Sequence, residues 1–218
     1  MIHRLDAVLI GHVVPFGAQG EPSGIAKQPV DHEIAVGMLG LQGDEQADLV
    51  HHGGTDKAIH HYPRDHYEFW QAELGTHPLL ECPGAFGENI STSGLIEDEI
   101  CLGDRLRIGT AVVEVSQGRQ PCWKVGHRLG DSKVPAKMVM TARSGWYYRV
   151  LQPGRLRTGD TLELIERPLP QWTVKLVFQL LIGRQGRAKA LRLEELAALP
   201  VLAESWRLRA LKLAASAQ

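Results

Sequence analysis

The chain has 218 residues, which is enough for one ordinary domain of ~100–200 residues with a modest appendage but not for two independent catalytic domains. A hydrophobic share of 44% and a formal net charge of -1 exclude wholesale disorder and a polycationic surface made for nucleic acid. No apolar run approaches the ~20 residues that cross a bilayer, and Arg4 and Asp6 interrupt the apolar core of a signal peptide. We therefore predict a cytoplasmic protein with neither a membrane nor a nucleic acid as a stable partner.

The first three quarters of the chain predict a strand-rich domain. From Leu5 to about Glu166, apolar residues come in short runs bounded by Gly, Pro, Asp or Ser, which is typical of strands. Several runs are too apolar to show alternation of polar and apolar residues, which indicates strands that are covered on both faces. The predicted fold class is mainly β with α, a compact β-barrel. Its predicted strands are Ala7–Val14, Ile34–Leu41, Ala58–Tyr62, Arg105–Ile108, Ala111–Val115, Trp146–Leu151 and Thr161–Ile165.

Two peripheral helices interrupt the predicted barrel. Pro63 suits a first helical position, apolar residues then recur at helical spacing to Leu74, and Gly75 ends the helix. The second helix is predicted from about Val134 to Arg143, before Ser144 and Gly145.

A helical module follows Pro168 and Pro170. Apolar residues there form stripes at helical spacing that predict three helices. We divide the chain into a β-barrel domain, residues 1–167, and a C-terminal three-helix module, residues 168–218. The module is so small that we expect it to pack on the barrel or on a second chain, which would make a homodimer.

A histidine-rich segment leaves two interpretations open. In a strand, His60 and His61 point to opposite faces, so they could not serve one metal ion without irregular backbone. Gly53 and Gly54 indicate either a turn or a nest of backbone N–H groups that holds an oxyanion. The histidines of this segment are His51, His52, His60, His61 and His66.

Of the three cysteines, Cys122 is the candidate functional residue. Their odd number and wide spacing make a disulfide scaffold improbable. Cys122 follows a strong strand and lies between Arg119 and Lys124, cations that favour the reactive thiolate form. Cys82 and Cys101 are better explained as structural thiols.

Six segments, in order, resemble the MOSC domain family, named for the C-terminal part of molybdenum cofactor sulfurases, and most closely its YiiM-like members. The resemblance includes the helical tail, which is similar to the three-helix module of YiiM-like proteins. Gly118 stands where these relatives often have proline. The segments are PSGIAKQPV (22–30), LGLQGDEQADLVHHGGTDKAIHHYPRDHY (39–67), AFGENISTSGL (85–95), LGDRLRIG (102–109), SQGRQPCWKV (116–125) and SGWYYRVLQPG (144–154).

The resemblance implies a MOSC-type β-barrel that binds the molybdenum cofactor through a cysteine thiolate. Cys122 falls on the family's cysteine, so we predict it as both the metal ligand and the catalytic residue. Soft thiolate donors suit this metal. The cofactor's phosphate and pterin need cations, close backbone approach and hydrogen-bond partners. For these roles we predict Lys27, His52, Gly53, Gly54, Gly87, Asn89, Arg119 and Arg143.

The resemblance also implies an oxidoreductase. Members that work alone resemble reductases of N-hydroxylated compounds, and YiiM-like proteins are associated with detoxification of N-hydroxylaminopurine-type base analogues. The implied reaction is oxygen-atom transfer at molybdenum. The sequence has no flavin or nicotinamide motif, so the electrons would come from a separate reductase. Pyridoxal phosphate binding belongs to the wider family, because its desulfurase domain cannot fit in this chain.

Two alternatives remain open at this point. The protein could carry the molybdenum cofactor or its sulfur without turning over a substrate. It could also be a hydrolase or transferase in which a histidine activates Cys122.

Overall fold

The computed structural model describes residues 2–47, 53–183 and 190–216. Within these ranges the strands are β1 (Ile2–Ile10), β2 (Val14–Phe16), β3 (Glu21–Ser23), β4 (Gln28–Pro29), β5 (Ile34–Gly37), β6 (Gly40–Leu41), β7 (Ile59–His61), β8 (Ile90–Thr92), β9 (Arg105–Ile108), β10 (Ala111–Gly118), β11 (Trp146–Gln152), β12 (Gly154–Leu156) and β13 (Thr161–Glu166). The helices are α1 (His66–Leu74), α2 (Trp123–Arg128), α3 (Val134–Thr141), α4 (Val174–Leu181), α5 (Ala190–Ala197) and α6 (Glu204–Ala215).

Seven strands close into a barrel, which confirms the predicted fold class. Their order is β13-β9-β10-β11-β7-β8-β1, and β1 pairs with β13 to close the ring. The pairs are antiparallel except β7 and β8, which run parallel where His61 faces Ile90. The hairpin of β2 and β3 and the small sheet β12-β5-β6 lie outside this ring.

Alternating side chains fill the barrel interior. In β9, for example, Leu106 and Ile108 are buried and Arg105 and Arg107 are exposed, as expected for a strand with one face on the core. Each fully buried aliphatic side chain of this kind stabilises the fold by ~1.5–3 kcal/mol. Other residues of the same core include Leu5, Val8, Ile59, Ile90, Val113, Val115, Trp146 and Tyr148.

A second apolar cluster connects α1, α2 and α3 to the outside of the barrel. Tyr62 stacks on Phe86 with 4.0 Å between ring centroids, and Val125 and Met138 pack in the same cluster. This cluster supports the segment from Gly84 to Asn89 and the helix that follows Cys122, so it fixes two walls of the cavity described below.

The C-terminal helices pack on β10. Thr173 caps α4, because its Oγ1 accepts a hydrogen bond from the Leu176 N–H at 3.3 Å. Val174, the first residue of α4, packs in the barrel core cluster, so it attaches the start of α4 to the barrel. Near α6, the Ala203 N–H donates to the Ser116 carbonyl at 3.0 Å. Among the described residues, no helix combines the length and apolar character needed to span a bilayer.

Candidate functional site

Cys122 lies at the start of α2, where β10 leads into a short connection. Its backbone is extended, with φ −117° and ψ 171°, and the side chain is partly exposed. The six-residue helix α2 was not predicted, because Gly126 lies in its middle. That glycine is required by packing, since a Cβ at Gly126 would lie 2.9 Å from the Asp131 carbonyl oxygen. The thiol is therefore held between a barrel strand and a tightly packed helix.

The Cys122 side chain lines a cavity of about 690 Å³, counting the space at its open mouth. It is concave and lined by both apolar and polar residues, as small-molecule sites are. Four cations and two carboxylates line it, so its charge favours an anionic ligand. The lining residues are Ser23, Gly24, Ile25, Lys27, Asp44, Glu45, Gln46, Ala47, Lys57, His60, Phe86, Gly87, Asn89, Arg119, Gln120, Cys122, Lys124 and Tyr147.

Arg119 is the most unusual of these cations. Only 5% of its surface is exposed, and its guanidinium donates to the Phe86 carbonyl at 3.2 Å and to the Met138 sulfur at 3.8 Å. No carboxylate in the described part of the chain forms an ion pair with it. A buried cation without a counter-charge is costly unless a ligand supplies one. Arg119 is thus suited to bind an anion in the cavity.

Lys27 has a different environment from the one predicted. Its ammonium forms a buried ion pair with Asp44, whose other oxygen accepts from the Asn89 amide at 2.8 Å. Burial lowers the pKa of Lys27, and the Asp44 carboxylate opposes that shift. Most of the Lys27 charge is therefore compensated within the protein, and Lys27 contributes less than Arg119 to binding an anion.

Asn89 lines the cavity, but its hydrogen bonds hold the scaffold. Its amide nitrogen donates to Asp44 at 2.8 Å and to the Leu9 carbonyl at 3.3 Å. Its oxygen accepts from the His60 backbone N–H at 3.0 Å. Because both amide hydrogens have partners, Asn89 positions Asp44 and β7 instead of offering donors to a ligand.

His60 lies in the cavity wall as a neutral imidazole. Burial, with Arg119 and Lys27 nearby, holds the pKa of His60 well below its usual value. Its Nδ1 lies 3.2 Å from the Gly87 carbonyl, which can only accept, so Nδ1 carries the proton. Nε2 is then an acceptor, and it has no partner among the described residues. His61 points to the other face, as predicted, where it contacts Tyr148 and Thr92.

The segment from Gly84 to Asn89 is organised by a buried carboxylate. Glu88 is fully buried and accepts from the backbone N–H groups of Gly84 at 2.6 Å and Phe86 at 3.0 Å. Gly87, the residue before Glu88, has φ +75°, and a Cβ there would lie 2.8 Å from Ile25. Gly87 does line the cavity, but the need for glycine comes from its positive φ and from Ile25.

Three predicted residues are not brought to the cavity. The Arg143 guanidinium lies over the Phe69 ring, 4.3 Å from its centroid. Gly53 does not line the cavity either, and Gly54, with φ +89°, precedes the short 3-10 turn Thr55–Lys57. Their assignment as cofactor-binding residues therefore has no support from the geometry. His52, like His51, lies outside the described residues.

Sequence reasoning missed Asp44, His60 as a wall residue, and Tyr147. A signal for His60 and Tyr147 was present in the sequence. Side chains alternate along Trp146–Tyr147–Tyr148, so Tyr147 lies on the opposite face of the strand from Trp146 and Tyr148. The partner strand was not known, so the shared face could not be identified. Cys101, predicted as structural, is buried with its sulfur 3.6 Å from the Pro170 carbonyl, and burial raises its pKa.

Histidine clustering does not create a metal site in the described part of the chain. No group of three His, Cys, Asp or Glu side chains is placed there to hold an ion. His66 instead pairs with the buried Glu97 at 2.6 Å.

Comparisons with known proteins agree on one family. The family model of the MOSC domain matches residues 48–163. Protein YiiM of Escherichia coli (strain K12) is 44% identical over 149 residues, which cover 68% of this chain and 66% of that protein. A protein of Gibberella moniliformis named as a reductase is 39% identical over 163 residues, covering 74% of this chain but 29% of the fungal protein.

A solved structure extends the similarity to nearly the whole chain. The crystal structure of YiiM from Geobacillus stearothermophilus superposes with a TM-score of 0.80 at 34% identity, covering 96% of this chain and 98% of that one. The match includes the barrel and the C-terminal helices, so the segment pattern and the three-dimensional fold lead to the same assignment. The chain belongs to the MOSC domain family, as a YiiM-like member.

Proposed function

We propose that this protein binds the molybdenum cofactor in the cavity beside Cys122 and uses it to reduce N-hydroxylated compounds, with N-hydroxylaminopurine-type bases among them. One observation carries the proposal: the Cys122 thiol and the buried, carboxylate-free Arg119 guanidinium line the same cavity. Membership of the MOSC domain family and the reductase name of the fungal relative support it.

The residues present fit the chemistry of the cofactor. A thiolate at Cys122 suits a soft metal that already has sulfur ligands. Arg119 would bind an anionic group, because its charge has no counter-charge within the described residues.

The cofactor, when bound, would supply two-electron oxygen-atom transfer, which removes oxygen from an N–OH group and leaves an amine. The protein's own residues would hold and orient the cofactor. Cys122 fixes the cofactor at one wall, Arg119 binds its anionic part, and the neutral His60 adds no further positive charge to the site. Lys27 and Asp44 form a buried ion pair in the cavity wall, so their charges compensate each other within the protein.

Elemental analysis and a turnover assay test the proposal together. Protein purified from a host that makes the cofactor should contain close to one molybdenum per chain. It should reduce 6-N-hydroxylaminopurine to adenine when an electron-donating reductase is supplied. A molybdenum content near zero would reject the proposal. Molybdenum without turnover of any N-hydroxylated compound would instead favour a carrier of the cofactor.

A further inference from the structure

Tyr147 lies on the cavity side of the barrel wall. In the ladder of β7 and β11, Tyr147 faces His60, and residues directly opposite in a sheet project to the same side. The two rings are 5.1 Å apart. Tyr147 and His60 both line the cavity, as does Cys122. Tyr148, next along the strand, points to the barrel core instead.

Arg119 and Cys122 line the same cavity as Tyr147. Burial raises the pKa of Tyr147, and the positive charge of Arg119 opposes this shift. A guanidinium has five N–H donors and no acceptor. Arg119 can therefore engage only a lone pair of the Tyr147 oxygen, which leaves the hydroxyl proton available.

The other three tyrosines of the chain use their hydroxyl groups within the protein. Tyr62 donates to the Arg143 carbonyl at 3.3 Å, Tyr67 donates to Glu88, and Tyr148 contacts His61 Nδ1 at 3.0 Å. Tyr147 has no acceptor for its hydroxyl proton among the described residues. A partly buried hydroxyl with an unused donor, in a cavity wall, is suited to bind a ligand oxygen.

We propose that the Tyr147 hydroxyl donates a hydrogen bond to the N-hydroxyl oxygen of the substrate, and so distinguishes the N-hydroxylated base from the corresponding amine. This inference rests on the proposed function. Arg119 has donors only, so it cannot compete for the hydroxyl proton. Tyr147 and Cys122 line the same cavity, so a substrate that reached a cofactor held by Cys122 would come near this donor.

Equilibrium dialysis of the molybdenum-loaded protein tests the assignment. Binding of 6-N-hydroxylaminopurine and of adenine, which lacks the hydroxyl, is measured without an electron donor so that no turnover occurs. The Tyr147→Phe variant should bind the hydroxylated base roughly 3- to 10-fold more weakly, the effect of one neutral hydrogen bond, and should bind adenine as the parent does. Tyr148→Phe is the matched control, because it removes the same atom one residue away on the core side.

Three outcomes overturn the inference. One is unchanged binding of both bases by Tyr147→Phe. Another is an equal loss for both bases, which would mean that Tyr147 contacts the purine ring. A loss of molybdenum from Tyr147→Phe would place the hydroxyl on the cofactor instead. Failure of the proposed function is distinguished by the parent protein, which would then contain no molybdenum or reduce no N-hydroxylated compound.

Discussion

Gly118 lies directly beneath the indole of Trp206. A Cβ at Gly118 would be 2.9 Å from Trp206 Cη2 and 3.3 Å from the Phe178 ring. The C-terminal helices therefore press on the last residue of β10, one position before Arg119. Gly118, which stands where YiiM-like relatives often have proline, is therefore a close contact between the barrel and the C-terminal helices.

Gly118→Ala should destabilise the protein by ~1–3 kcal/mol, because the added methyl group overpacks this contact. Urea unfolding followed by tryptophan fluorescence measures the free energy of unfolding. Gly37→Ala is the control, since the nearest atom to a Cβ there is 3.9 Å away, and we expect it to be neutral. Equal stability of Gly118→Ala and the parent protein would show that the helices can move away from β10 without cost.

Cys122→Ser should abolish molybdenum retention and leave the fold intact, because the thiol is partly exposed and hydroxyl oxygen is a poor ligand for a soft metal. Elemental analysis gives the metal content, and circular dichroism checks the fold. Cys82→Ser is the control, since Cys82 is an exposed thiol that does not line the cavity. Equal molybdenum in Cys122→Ser and the parent would remove Cys122 as a ligand.

Arg119→Met should weaken cofactor binding by ~1.5–3 kcal/mol, the usual contribution of a hydrogen bond to a charged group. The stability cost should be only ~1 kcal/mol, because the variant loses a hydrogen bond to Phe86 but also removes a buried charge. Molybdenum content and urea unfolding are measured together. Arg207→Met is the control, since Arg207 pairs with Glu204 on the outer face of α6. Full cofactor occupancy in Arg119→Met would remove Arg119 from the site.

Lys27→Met should instead destabilise the fold by ~3 kcal/mol, because it leaves the Asp44 carboxylate buried without its cation. Adding Asp44→Asn should recover part of this loss, since the amide carries no charge. Urea unfolding of the parent, the single variant and the double variant gives the three free energies. A single variant as stable as the parent would mean that the pair is not needed for the fold.

Acid should destabilise the protein through His61. Burial holds the pKa of His61 at about 3, and His3 adds to the shift, whereas an unfolded histidine has a pKa near 6.5. The folded state thus binds fewer protons, so the stabilisation is complete above pH 6.5 and is lost as the pH falls towards 3. One such group costs ~2 kcal/mol at pH 5.

Urea unfolding at pH 7 and pH 5 measures this effect. The buried His60 shifts in the same direction, so His61→Gln should reduce the difference between the two pH values but not remove it. His32→Gln is the control, because the His32 side chain is exposed. A pH dependence unchanged by His61→Gln would contradict the assignment of His61 as a neutral core residue.

The spacing of apolar residues predicted the barrel because the side chains that face its core must be apolar. Strand β9 was predicted with the correct bounds, Arg105–Ile108, and α3 was predicted to within two residues. The apolar run predicts one strand over Ile34–Leu41, but the structure has two, β5 and β6. Gly40 has φ +124° with no room for a Cβ beside the Ala58 carbonyl. A turn of this kind depends on a distant neighbour, which periodicity does not report.

The site was only partly predictable for the same reason. Cys122 and Arg119 are adjacent to one strand and could be grouped from the sequence. Asp44 compensates Lys27, and the Phe69 ring holds Arg143, but both relations join residues from separate segments. Residue type alone indicates that a cation can bind an anion, and only its neighbours decide whether that cation is already paired.

Closure of the ring by β1 and β13 sets an order of events during synthesis. Ile2 pairs with Glu163 and Arg4 with Thr161. Strand β13 must therefore leave the ribosome before β1 can pair with it and close the ring. The walls around Cys122 come from segments between these two strands. The closed ring that carries these walls therefore forms only after β13 has been translated.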